Sequence, residues 1–242
     1  MSSRLLELEQ SMDTIDFPTF LCYTLRHICP IRYSHCIKKS KPEERMSLSK
    51  NVMIIAGPNG SGKTTFATEY LQSSEISEYI SADAIAAQLV STPAEFSKVR
   101  IQAGRLFFDK IHRLIETEKD FIVEVTLAGK GFQRIISELK DTGYTVTIIF
   151  LFLKSPETCI TRVRNRVRAG GHHVPTEDIV RRFYRSKQNF WHIYKNMVDR
   201  WYLFYNSGEH LQEVASGKAN RFMVTNETFL KLFMQDINNG GA

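Results

Sequence analysis

The fold this sequence predicts is a mostly parallel α/β sandwich, and three observations carry that expectation. Short apolar runs alternate with helical patterns from residue 51 onward, a glycine-rich loop follows the first run directly, and the longest run is apolar almost throughout. Strands alternating with helices imply a parallel sheet with helices on both faces. In order, Val52-Met53-Ile54-Ile55-Ala56 is a buried first strand, and Glu78-Tyr79-Ile80-Ser81 a short second one ending at Asp83. Thr92-Pro93-Ala94-Glu95 has the form of a capping box with proline at the first helical position. It opens a long helix on which Phe96, Val99, Ala103, Phe107, Ile111 and Leu114 step by three and four, as a core-facing stripe does. Phe121-Ile122-Val123 is a third strand ending at Glu124, and Tyr144 to Leu153 reads as a strand covered on both faces. Ser155-Pro156-Glu157 starts another helix. Trp201 to Tyr205, a hairpin of Gln212–Ala215 and Arg221–Thr225, and a C-terminal helix complete the pattern.

The loop after the first strand reads Gly57-Pro58-Asn59-Gly60-Ser61-Gly62-Lys63-Thr64-Thr65 and fits G-x-x-x-x-G-K-[ST] at every fixed position. Glycines let the backbone turn its amide groups inward around a phosphate. The segment from Thr65 continues as a helix whose N-terminus favours anions. Lys63 would lie along the β- and γ-phosphates of a nucleotide, and the Thr64 hydroxyl would help complete a Mg²⁺ shell. The expected architecture is thus the P-loop NTPase type, a three-layer sandwich, with ATP and Mg²⁺ as cofactors.

Composition bounds the remaining choices. The chain has 242 residues, 24% charged and 43% hydrophobic, room for one good-sized core and an appendage. No apolar stretch approaches the roughly 20 residues that span a bilayer, and the first ten residues lack the pattern of a secretory signal. Cys22, Cys29, Cys36 and Cys159 form no C-x-x-C pair and, with His27 and His35, match no zinc spacing. Reduced thiols and a cytoplasmic location are expected. Residues 1–45 read as an N-terminal extension outside the core, with Met46, just before the first core strand, as a candidate biological start. Residues 46–242 read as the domain that carries the phosphate loop.

Charge is unevenly placed. Residues 160–200 hold ten basic and three acidic side chains, a surplus of seven against a net +6 for the whole chain. One basic segment beside a phosphate loop suggests a clamp for phosphates, and arginine dominates it, whose guanidinium fork suits phosphate oxygens. On the helix after Pro156, Cys159, Ile160, Val163 and Val167 form an apolar stripe. Arg166 lies beside that stripe and Arg168 points away from it, at ~100° per residue. After Pro175 a second helix buries Ile179, Phe183, Phe190 and Tyr194, while Arg182, Arg185, Ser186 and Asn189 share another face. Joined by Ala169-Gly170-Gly171-His172-His173-Val174-Pro175, the two helices read as an arginine-rich lid over about residues 155–200.

In open α/β sheets, ligands bind beyond the carboxyl ends of the strands. Asp83 and Glu124 stand there with the phosphate loop. Phosphoryl transfer asks for one carboxylate to orient or deprotonate the acceptor hydroxyl, a role assigned to Asp83, with an N-cap of the following helix as the alternative. Glu124, next to an apolar run, would serve a metal or substrate or sit in a structural ion pair. Arg166 and Arg182 are candidate arginine fingers, and His172 and His173 candidate substrate contacts or turn residues. The longest apolar strand ends in Leu153-Lys154-Ser155, without the aspartate that motor-type ATPases use there for Mg²⁺.

The phosphate loop, Ser81-Ala82-Asp83-Ala84-Ile85-Ala86, Glu124-Val125-Thr126-Leu127-Ala128-Gly129 and Arg166 to Pro175 together resemble the zeta-toxin family of P-loop kinases. The similarity continues through Arg181 to Ser186 and Asn189-Phe190 and covers roughly residues 51–225. Val125 stands where the family commonly has threonine, and Tyr205 where it often has aspartate. The resemblance implies ATP- and Mg²⁺-dependent phosphorylation of a small molecule, with UDP-N-acetylglucosamine as the acceptor of the best-known members, and an antitoxin protein as a partner. It implies that Lys63 holds the γ-phosphate, that Asp83 activates the sugar hydroxyl, and that Glu124 and Thr126 meet the substrate. His172 and Arg185 join the substrate set, and lid arginines neutralise the transferring group. Neither membrane nor nucleic acid is an expected partner. Two alternatives stand beside the small-molecule kinase: an enzyme phosphorylating nucleic-acid ends, and a binding module gated by nucleotide without transfer.

Overall fold

A seven-stranded sheet in the order β2-β3-β1-β4-β5-β6-β7 organises the protein. The computed structural model describes residues 50–239 apart from residue 75, residues 90–95 and residue 209. The chain runs β1 (Asn51–Ala56), α1 (Lys63–Ser73), β2 (Glu78–Ser81), α2 (Ala82–Leu89), α3 (Phe96–Glu116), β3 (Phe121–Val125), α4 (Phe132–Asp141) and β4 (Thr145–Phe152). It continues through α5 (Pro156–Arg168), α6 (Thr176–His192), a 3₁₀ turn at Tyr194–Asn196, β5 (Arg200–Tyr205), β6 (Gln212–Lys218), β7 (Arg221–Val224) and α7 (Glu227–Asn239). Strands β2, β3, β1, β4 and β5 are parallel, and β6 and β7 close the far edge as an antiparallel hairpin. This is the expected α/β sandwich with a mostly parallel sheet.

The central strands are apolar because both faces are covered. On one face, Val52, Ile54, Phe121, Val123, Ile148 and Phe150 meet α3, α4, α6 and α7 through Phe107, Ile111, Ile136, Phe190 and Phe233. Phe150 stacks on Phe190 with ring centroids 4.4 Å apart, and Phe233 meets Phe152 edge-on. On the other face α1 lays Phe66 against Phe204 of β5. The stripe expected on the long helix is buried at Ala103, Phe107, Ile111 and Leu114. The capping box at Thr92–Glu95 lies outside the described residues, as do the three N-terminal cysteines.

Two boundaries differ from the sequence reading. β3 runs on through Val125, so Glu124 sits inside a strand rather than after it, paired in register with Ser81 and Ile55. The helical part of the lid segment ends at Asn196, and Arg200 already belongs to β5. Ser155 caps α5 as expected, its hydroxyl accepting from the Thr158 amide with proline at the first helical position. Lys187, counted among the basic lid residues, is fully buried: it pairs with Asp236 of α7 and lies over the rings of Phe183 and Phe152. It ties α6 to the C-terminal helix, with no part of its charge reaching solvent.

Candidate active site

The phosphate loop leaves the end of β1, where the sheet has β3 on one side and β4 on the other. Its glycines are demanded by geometry. Gly57 has φ +140°, and a Cβ there would stand 2.1 Å from the Leu151 carbonyl oxygen. Gly57→Ala should therefore fail on both backbone strain and collision. Strain of this kind costs about 1–3 kcal/mol, and each kcal/mol lowers Tm by about 2–4 °C at this size; thermal melting measures the drop. The loop is braced from across the sheet by Asn206, just past β5, whose side-chain amide donates to the Ser61 carbonyl at 2.8 Å.

Lys63 opens α1 with its ammonium folded back onto the Pro58 carbonyl at 2.9 Å, only 6% exposed. Burial lowers its pKa, and the nearby carboxylates of Glu124 and Asp83 act against that. Thr64 donates its hydroxyl to Glu124, 2.9 Å from Oε2 and 3.2 Å from Oε1. Glu124 is 8% exposed and takes a second bond from the Tyr79 hydroxyl at 2.5 Å. Hydroxyls supply these hydrogen bonds, and the Lys63 ammonium adds attraction at longer range. Burial and then the charge of Glu124 push the Tyr79 phenol well above the ordinary tyrosine value, so it stays a donor. Thr65, like Thr64, is exposed at the helix start.

Asp83 falls in the first turn of α2, and the helix start is served by Ser81, whose hydroxyl accepts from the Ala84 amide at 3.4 Å. The N-cap alternative for Asp83 is therefore corrected, because the helix begins one residue before it. Asp83 Oδ2 lies 3.1 Å from His172 Nε2. Burial raises its pKa, but the hydrogen bond and charge of His172, with Lys63 and Arg166 behind them, outweigh that and hold the carboxyl below its usual value. Arg166 reaches inward from α5, its Nη2 3.1 Å from His172 Nε2 and 3.3 Å from the His172 carbonyl. Its Nε is buried without a hydrogen-bond partner. Arg168 is exposed.

A cleft of about 560 Å³ opens beside these groups, with Thr64, Tyr79 and Arg166 set behind its lining. Lys63, Asp83, Glu124, Thr126, His172 and Arg182 all line it. Arg182 donates to Asn59 of the phosphate loop at 3.3 Å and faces Asp178 at 3.6 Å. Arg185 is exposed at the cleft wall. The opposite wall is apolar, built from Phe107, Phe108 and Phe132. The loop after β3 is pinned by α6 and the turn beyond it: Asn189 donates to the Leu127 carbonyl at 3.0 Å, and the Tyr194 hydroxyl to that of Gly129 at 2.5 Å. Sequence reasoning had no signal for Tyr79 as a partner of Glu124. For Phe108 the only signal was its place beside a core stripe.

Residues 52–188 match the family described as "AAA domain". An uncharacterized protein of Haemophilus influenzae is 29% identical over 134 residues, 55% of this chain and 92% of that protein. The structure of AvrRxo1-ORF1 with AvrRxo1-ORF2 and ATP superposes with a TM-score of 0.62 at 16% identity, over 76% of this chain. The chain spans 64% of the length of that AvrRxo1 chain. A chain of the PezAT chromosomal toxin–antitoxin system of Streptococcus pneumoniae superposes with a TM-score of 0.52 at 15% identity, over 93% of this chain and 97% of that one. At these identities the likeness is one of fold, and the fold is that of P-loop proteins. No helix among the described residues is long and apolar enough to cross a membrane.

Proposed function

The chain belongs to the AAA-domain family, and from that premise we propose that it is an ATP- and Mg²⁺-dependent kinase transferring the γ-phosphate to a hydroxyl of a small molecule. A nucleotide sugar such as UDP-N-acetylglucosamine is the first acceptor to try, by the resemblance to zeta toxins. The observation that carries the reading is the convergence of Lys63, Asp83 and Arg182, from three separate segments, on one cleft of about 560 Å³. A nucleotide-binding module without transfer has no need of a carboxylate and an arginine facing the same space as the loop lysine.

In this reading the backbone N–H groups of Asn59–Thr65 cradle the donor phosphates, and the Lys63 ammonium swings from the Pro58 carbonyl to the γ-phosphate. The acceptor hydroxyl takes the place of His172 at Asp83, which orients it and accepts its proton as the new O–P bond forms. The bond between the β-phosphate oxygen and the γ-phosphorus breaks, and ADP leaves with the electron pair. Arg182 and Arg166, with Lys63, balance the charge spread over the transferring oxygens. Thr126, Arg185 and the pinned loop after β3 face the acceptor side. The donor set suits Mg²⁺: a hydroxyl and a carboxylate within 2.9 Å of each other are hard oxygen ligands, and Mg²⁺ typically takes one or two carboxylates plus substrate phosphates. Bound with ATP, the ion would neutralise developing phosphate charge. The cytoplasm, where ATP is held, and an antitoxin-type partner complete the proposal.

The test is incubation with ATP, Mg²⁺ and UDP-N-acetylglucosamine, then with a whole metabolite extract, read by mass spectrometry. A product one phosphate heavier than its acceptor is expected. ATP binding with no transfer to any metabolite would instead favour the binding module. Transfer to oligonucleotide ends, with affinity falling steeply in salt, would favour the nucleic-acid kinase.

A further inference from the structure

Glu124 is gripped from two directions by hydroxyls on different elements. Thr64 approaches from the first turn of α1, and Tyr79 from β2. The strand register explains why the two meet. Ser81 stands opposite Glu124 and Tyr79 opposite Ile122, so Tyr79 lies diagonally behind Glu124 on the same face of the sheet. Both hydroxyls share Oε2, and Thr64 also reaches Oε1. Turning this carboxylate away from Thr64, toward the acceptor side of the cleft, would break all of these bonds inside a site that is 8% exposed at Glu124. Nothing in the phosphate-loop pattern requires a tyrosine at this position, and its phenol, which also meets the Ser81 side chain, fixes the direction of the carboxylate.

We infer that Tyr79 is a positioning residue for the donor half of the site: by holding Oε2 it keeps Glu124 beside Thr64, where carboxylate and hydroxyl together face the metal-bearing phosphates. The inference rests on the reading of Thr64 as a nucleotide-metal ligand and is independent of which acceptor is used. It moves Glu124 from the acceptor set, where family resemblance alone puts it, to the donor set. Outer partners that orient a metal-binding group commonly govern metal affinity by about 10–100-fold.

Tyr79→Phe removes one oxygen and keeps the ring. The experiment uses the full chain with ATP and no acceptor, and follows Mn²⁺ binding by electron paramagnetic resonance. Mn²⁺ affinity in the ATP complex should fall by about 10–100-fold, while ATP affinity in EDTA stays unchanged. Glu124→Gln should weaken Mn²⁺ in the same way, and Tyr79→Phe should add little on top of it. Unchanged Mn²⁺ affinity in Tyr79→Phe overturns the inference. So does a loss of ATP affinity that is equal with and without metal, since that is what a purely structural tyrosine would give. A failure of the kinase reading itself would show separately, as absence of phosphate transfer by the unaltered protein.

Discussion

Arg182→Ala is expected to lower turnover by about 10³–10⁵-fold, the worth of an arginine that stabilises charge on a transferring phosphoryl group. The effect should fall on kcat, with ATP affinity nearly preserved, because the loop amides and Lys63 still hold the nucleotide. Arg182 comes from α6, yet its Nη1 already touches Asn59 of the phosphate loop, and Asp178 steadies the same guanidinium. Asn59 is 4% exposed, so the arginine is engaged at the floor of the cleft rather than solvated on a charged face. Lysine should rescue poorly, since a point charge replaces a planar fork. Single-turnover kinetics with saturating ATP give the measurement. A variant that loses ATP binding and melts early would make Arg182 a structural strut instead.

The second large effect is expected at Asp83. Asp83→Asn keeps the shape and the approach of His172 but cannot take a proton, and turnover should fall by about 10²–10⁴-fold. The acid–base sign follows from its surroundings. Its folded-state pKa is lowered, so the carboxylate is ionised across the neutral range. Its contribution to activity is complete above the ordinary aspartate pKa and is lost as pH falls through the lowered value. No rise in rate near neutrality should therefore be traceable to Asp83. Removing the partner with His172→Ala should move the acid limb of kcat/KM toward higher pH. Full activity in Asp83→Asn would mean that another group takes the proton.

The sheet was legible because its interior strands are covered on both faces and must be apolar along their length, and the phosphate loop because its glycines answer a backbone requirement. The order of Asp83, Glu124 and the arginines was legible too, since each stands near a strand end or on a helix face with a definite angle. What stayed hidden depends on contacts between distant segments. Lys187 counted as one more lid cation, although Asp236, 49 residues on, takes its charge indoors. Tyr79 looked like a strand residue, because its task is set by a carboxylate 45 residues away. Glu124 seemed to follow its strand because a charge normally ends an apolar run, whereas here two hydroxyls make it tolerable within one.

The brace between Asn206 and Ser61 joins residues 145 positions apart. During synthesis, a nascent chain that has emerged as far as Phe152 carries the whole glycine loop and the strands on either side of it, but lacks the Asn206 amide that braces the loop at Ser61. The brace forms only once β5, the last of the parallel strands, has been made and has docked on β4. An amino-terminal fragment cut before Asn206 keeps every residue of the phosphate-loop signature and loses the one support that reaches Ser61 from beyond β5.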